Sequence, residues 1–234
     1  MCCPQRPLSR GYDVEDTVER IAREVLRRLQ GETVRRNGLV RPGGAEGIPV
    51  MVSARHVHLS RGSLESLFGE GATLTKTRDL TQPGEFVAGE RVTAVGPSGR
   101  ALESVGVVGP VRPYTQIELS RTDAVRLGID PPVRRSGDLA GSAPVTLVGP
   151  AGTVVLREGA VRAMRHVHMT ERDADEYGVK DGDLVRVRFP GVRALVLENV
   201  LVRVSRRAAL EMHLDTDDAN AADIRPPVTV EILS

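Results

Sequence analysis

Aromatic residues are scarce in this 234-residue chain: 3 Phe, 3 Tyr and no Trp, 3% in all. An aromatic core is therefore excluded, and the 40% hydrophobic content must pack as aliphatic side chains, in one large domain or two small ones. Net charge is nearly absent as well. With 32 basic against 31 acidic residues the formal charge is +1, so no overall field draws the chain to nucleic acid or to an anionic membrane. A polyanionic small substrate needs a local basic pocket instead. Cysteine is confined to Cys2 and Cys3, neighbours that cannot staple distant parts of a fold. That usage fits a reducing interior, and it argues against cysteine catalysis because both precede a loose linker. No apolar run approaches the ~18 to 20 residues that cross a bilayer, and the N-terminus lacks the apolar core of a secretory signal. A soluble, cytoplasmic protein is expected. Also missing are a phosphate-binding Gly-rich loop ending in Lys-Ser/Thr, a dinucleotide fingerprint and a Gly-x-Ser-x-Gly elbow.

What is present is a short motif used twice. Arg55-His56-Val57-His58 and Arg165-His166-Val167-His168 hold four of the five histidines. In a strand, alternate side chains share a face, so two imidazoles spaced i, i+2 project together roughly 7 Å apart. A lone His-x-His is usually an edge-strand or interior pair. Two copies in matched contexts, with apolar residues upstream and an apolar residue then Ser or Thr downstream, point to metal ligation instead.

Residues 13–30 read as an amphipathic helix. Asp13 is the candidate N-cap, Glu15 and Asp16 lie in the first turn, and Gly31 follows the end. Val14, Val18, Ile21, Val25 and Leu29 form the apolar stripe. The aperiodic Gly- and Pro-containing stretch after it makes this helix a tethered element over residues 1–47. From Ile48 the pattern changes to short β-like runs broken by Gly and Pro, with Ser60 and Ser120 expected to cap short helices. VTLVGPAGTVVLR echoes VTAVGPSGRALES, each a Gly-Pro-x-Gly turn between two runs. The expected fold is mainly β with short helices: two small related β-barrels in tandem, over 48–137 and 138–234, whose opening strand crosses between barrels. Facing barrels would bring the two histidine strands together.

Neutral imidazole suits zinc and related ions, and catalytic zinc usually combines three protein ligands with an open position. His213 is the remaining histidine, and Glu118 is one of several available carboxylates. With the four motif histidines they make six ligands, enough for two three-ligand sites. Arg112, stiffened by nearby prolines, offers a guanidinium that can grip phosphate bidentately. Metal-assisted acyl or phosphoryl chemistry is the reading these residues leave.

The segments VSARHVHLS, LTQPGEFVAGERVTAVGPSG, GPVRPYTQIELSRTDAVRLGI, PVRRSGDLAGS, AMRHVHMT, GVKDGDLVRVR and EMHLDTDDANAADI together resemble the phosphate propanoyltransferases, or PduL-type phosphotransacylases, from about Ile48 to about Ile224. The resemblance implies two small β-barrels around a dimetal site, usually zinc. It also implies interconversion of acyl-CoA and phosphate with acyl phosphate and CoA. Carried over by motif position, the ligands are His56, His58, Glu118, His166, His168 and His213. Arg112 contacts phosphate, Ser136 lies beside the site, and CoA approaches near Ser53 and Asn220. Many members carry an N-terminal helix that targets a bacterial microcompartment, and residues 13–30 resemble such a peptide, with shell or core proteins as partners and room for a homo-oligomer. Two other readings stand beside this one: a metal-dependent hydrolase using the same ligands on water, and a non-catalytic metal-stabilised barrel pair that docks to a scaffold.

Overall fold

The computed structural model describes residues 47–233, so the helix expected over 13–30 and the linker lie outside the described residues. In chain order the elements are β1 (Ile48–Ser53), β2 (His56–His58), α1 (Arg61–Phe68), β3 (Lys76–Asp79), β4 (Phe86–Val95), β5 (Ala101–Gly109), β6 (Gln116–Glu118), α2 (Arg121–Leu127), β7 (Val133–Arg134), β8 (Ala143–Val148), β9 (Thr153–Ala163), β10 (His166–Met169), α3 (Glu171–Tyr177), β11 (Leu184–Phe189), β12 (Leu195–Val204), β13 (Glu211–Asp215), α4 (Thr216–Ala221) and β14 (Thr229–Leu233). None of these helices is long and apolar enough to cross a membrane.

The strands close into two rings, as the mainly-β reading expects. In the first, the order β4-β5-β2-β6-β9 returns to β4 through β8, with β3 added beside β4 and β7 beside β9. In the second, the order β1-β13-β10-β12-β11-β14 closes by pairing β14 with β1. Each ring has its own largely aliphatic core, with Phe189 of the second an aromatic exception. Val57, Leu59, Val92, Val107, Ile117 and Leu147 fill the first. Ile48, Val50, Val167, Met212, Leu214 and Phe189 fill the second. Closure leaves few unpaired backbone edges, which short strands of this kind need in order to persist in water.

The strand pairing moves the domain boundary away from residue 137. β8 and β9 pair with β4 and β6, so the first barrel runs on to Ala163. β1, although first in sequence, pairs with β13 and β14 and packs in the second core. The two Gly-Pro-x-Gly hairpins are not counterparts in separate barrels. They are β4-β5 and β8-β9, and Thr93, Ala94 and Val95 lie against Val148, Leu147 and Thr146 inside one barrel.

The helices are single short segments of the kind that are marginal alone and hold by capping and packing. Ser60 accepts from the Ser63 N–H, Ser120 from Asp123, and Thr170 from Asp173, whose carboxylate reaches back to the Thr170 N–H in a capping box. Hydrogen bonds tie the barrels together. The Thr122 N–H donates to Asp217 Oδ2 at 2.8 Å. Gln82 grips the backbone of Ala209 both ways, donating from Nε2 to its carbonyl at 2.9 Å and accepting its N–H at 3.2 Å.

Candidate active site

Period-2 alternation decides which side chains reach the space between the barrels. Val57 and Val167 are completely buried in their cores, so the histidines on either side of each point the other way. The same holds for the strands beside them. Ile117 and Met212 face inward with no exposed surface, which turns Gln116 and Glu118 of β6, and Glu211 and His213 of β13, outward. Antiparallel register then sets His56 opposite Glu118 and His58 opposite Gln116 in the first barrel. In the second it sets His166 opposite His213 and His168 opposite Glu211.

These faces line one cavity of 630 Å³. His56, His58 and Glu118 form one cluster on its wall, and His166, His168 and His213 form another, with candidate ligand atoms in each within 4.8 Å of one another. In the second cluster the three ring centroids stand 4.6 to 5.1 Å apart.

The hydrogen bonds around the first cluster fix its donor set. His56 Nδ1 lies 2.9 Å from the Ala54 carbonyl and His58 Nδ1 lies 3.1 Å from the Val108 carbonyl. A carbonyl only accepts, so each Nδ1 carries the proton and each Nε2 a lone pair. Those two Nε2 atoms face each other at 3.2 Å, and each stands 3.6 Å from an oxygen of Glu118. Lone pairs and a carboxylate converging with no proton between them repel, and a cation among them removes the conflict. In the second cluster His166 Nδ1 is likewise tied to the Met164 carbonyl at 2.7 Å, and its Nε2 faces His168 Nε2 at 3.0 Å. The residues fit a divalent ion at each cluster, in an imidazole and carboxylate set that suits zinc and its neighbours.

Burial and nearby charge favour the neutral form of His58, His166 and His168, the form a ligand needs. Burial, then neighbouring His213 and Arg203, push His166 down to about 4. Burial is also the largest cause lowering His168 and His58. For Glu118, burial works upward but is overcome by the adjacent His56 and His58 rings and by hydrogen bonding from Ser136. Its carboxylate is held well below the usual range.

Arg112 lines the same cavity, fixed from three directions. Nη2 donates to Glu85 Oε1 at 2.7 Å, and Nη1 donates to Tyr114 Oη and to Ser136 Oγ, both at 3.2 Å. Three of the five guanidinium N–H groups are thus engaged, which leaves two for an anion. Ser136 also accepts from Gln116 Nε2 at 2.7 Å, and Gln116 Oε1 accepts the Gly137 N–H at 2.8 Å. Gly137 sits at φ 93°, and a side chain there would press on the Tyr114 ring, so this turn requires glycine. Ser53 lines the cavity. Asn220 does not: it is exposed on α4, the helix capped by Asp215, which pairs in register with Ser53.

Several residues in or just behind the cavity wall escape a reading of the sequence. Glu211 is 5% exposed and bonds His213, buried Gln116 donates to Glu118 Oε1 at 2.6 Å, Glu85 pairs with Arg112, and Arg203 Nη1 lies 3.5 Å from His166 Nε2. QIE and EMH stand in the same register against the two histidine strands, a relation set by long-range pairing that their different sequence spacings do not show.

With this geometry in hand, comparison with known proteins gives a consistent result. Residues 49–225 match the phosphate propanoyltransferase family model. A phosphate propanoyltransferase from Thermotoga maritima is 56% identical over 177 residues, which is 75% of this chain and 84% of that protein. One from Lachnoclostridium phytofermentans is 46% identical over 219 residues, 94% of this chain and 99% of its own. One from Priestia megaterium is 48% identical over 207 residues, 88% and 91% respectively. The chain belongs to the phosphate propanoyltransferase family.

Proposed function

We propose that the protein is a phosphate acyltransferase that interconverts a short-chain acyl-CoA, propanoyl-CoA or acetyl-CoA, and phosphate with the acyl phosphate and CoA. The observation that carries this reading is the convergence of two three-ligand clusters and a tethered arginine on one cavity. Family membership supports the same chemistry. His56, His58 and Glu118 would hold one divalent ion and His166, His168 and His213 a second, with zinc the best match to these donors. Such ions, when bound, polarise a thioester carbonyl and favour the negative charge that develops on its oxygen.

The remaining work falls to the chain's own residues. Arg112, braced by Glu85, Tyr114 and Ser136, presents its two remaining N–H groups to phosphate and holds this modest nucleophile against the carbonyl carbon. A phosphate oxygen bonds to that carbon, the carbon–sulfur bond breaks, and CoA leaves as the thiolate. Transfer is direct in this reading. Ser136 Oγ already accepts from Arg112 and Gln116 and bonds to Glu118, whose depressed pKa makes it a weak base. CoA approaches along β1 and α4, where Ser53 and Asn220 lie. On the sequence alone, we read residues 13–30 as a peptide that carries the enzyme into a microcompartment by binding shell or core proteins.

The test is release of free thiol from propanoyl-CoA and acetyl-CoA as phosphate is varied, with and without chelator. Release is expected to require both phosphate and bound metal, and to fall on the order of 100- to 1000-fold in Arg112→Ala. Thiol release at full rate without phosphate would replace this reading with hydrolysis, and acyl label trapped on the chain would replace direct transfer.

A further inference from the structure

The two clusters are related residue by residue, and the one place where their ligands differ is matched by a second difference two residues earlier. Glu118 and His213 hold the same register position, opposite His56 and His166. Two residues before them, Gln116 and Glu211 face His58 and His168 in the same way. In the first barrel the ligand is a carboxylate, and the neighbouring amide donates a proton to it, Gln116 Nε2 to Glu118 Oε1 at 2.6 Å. In the second the ligand is an imidazole, and the neighbouring carboxylate accepts from it, His213 Nε2 to Glu211 Oε2 at 2.7 Å. Donor and acceptor have exchanged places together.

That exchange has a consequence for the imidazole. A carboxylate accepts, so the His213 proton sits on Nε2 and the lone pair on Nδ1. His56, His58 and His166 have the opposite arrangement, with Nδ1 tied to a backbone carbonyl. Glu211 is itself 5% exposed, and the side chains of Thr81 and Gln82 hydrogen-bond its carboxylate from the first barrel. The segment that steadies it continues to Glu85, which braces Arg112.

We propose that Glu211 is a positioning residue: by accepting the Nε2 proton it holds His213 in the tautomer that offers Nδ1 to the second cluster's ion, as Gln116 orients the carboxylate of Glu118 for the first. The inference rests on the reading that both clusters bind ions. Acceptors of this kind typically change metal affinity by about 10- to 100-fold.

The experiment is equilibrium dialysis of ion-free, full-length protein against cobalt(II), counting bound ions in the wild type and in Glu211→Gln, which keeps the side chain's size. The wild type is expected to take two ions. Glu211→Gln should keep the first at unchanged affinity and bind the second about 10- to 100-fold more weakly. Equal affinity for both ions in the variant overturns the role of Glu211 while leaving the metal reading intact, whereas a wild type that binds none removes the metal reading itself. Nitrogen-15 spectra of ion-free wild type need no variant and settle the matter if Glu211→Gln fails to fold. His213 is expected as the Nε2–H tautomer and His56, His58 and His166 as Nδ1–H. A His213 protonated on Nδ1 overturns the proposal.

Discussion

Glu118 and His213 are the same position in two barrels: each stands opposite the first histidine of its barrel's His-Val-His strand, in antiparallel register. The equivalence extends outward. Arg55 pairs with Asp123 at 2.9 Å and Arg165 with Asp218 at 3.2 Å, acids that lie five residues beyond Glu118 and His213 respectively. Exchange of the first pair's chemistry is therefore testable. Glu118→His alone leaves the Gln116 amide donor facing an imidazole and should weaken the first cluster's ion by about 10-fold or more. Adding Gln116→Glu supplies the acceptor found in the second barrel and should recover part of that loss, measured by cobalt binding.

Arg112→Lys keeps the charge but loses the planar fork and its bracing contacts to Glu85, Tyr114 and Ser136. One charge-assisted hydrogen bond lost corresponds to about a 10-fold or greater rise in KM for phosphate. KM for the acyl-CoA should stay unchanged, because no other role is assigned to this side chain. Steady-state kinetics with each substrate varied in turn distinguish the two.

The ion-free protein should lose stability in mild acid. His166 has its pKa pushed down to about 4 from the usual 6.5, chiefly by burial and then by neighbouring His213 and Arg203. Between these values the unfolded chain binds a proton that the folded chain refuses, so stability falls as pH drops from about 6.5 toward 4. His58 and His168 are lowered as well and act in the same direction. Glu118, depressed from 4.5, adds stability that is present above that value and lost below it. Melting temperature of chelated protein across pH 7 to 4 should decline throughout, and a rise on acidification would contradict the assignment.

Among the described residues Phe189 is the largest fully buried side chain, 1% exposed in the second core. Phe189→Ala should cost about 3 to 5 kcal/mol of stability, read by denaturant unfolding, while the ion count of the folded fraction stays at the wild-type value.

Parts of this site were legible in the chain and parts were not, for physical reasons. The histidine pairs could be read because alternation along a strand is local: two residues apart means the same face. Ser60 and Ser120 as helix caps are local in the same way. Glu118, as a ligand, depends on β6 meeting β2 across some sixty residues, so composition left it one carboxylate among many and only the family resemblance singled it out. The boundary at residue 137 failed for a related reason. Hairpins β4-β5 and β8-β9 look like copies that belong to separate units, yet they pair with one another and close a single barrel. Strand order is a property of long-range pairing, and two similar hairpins do not declare whether they face each other. Gln116 and Glu211 went unseen because a buried polar residue beside a ligand looks, in sequence, like any exposed strand position.

Anomalous diffraction at the zinc edge, from crystals grown with zinc present, tests the central claim most directly. The account predicts two peaks in the cavity between the barrels, one bounded by His56, His58 and Glu118 and the other by His166, His168 and His213. A cavity with neither peak, or metal bound only elsewhere on the protein, would contradict it.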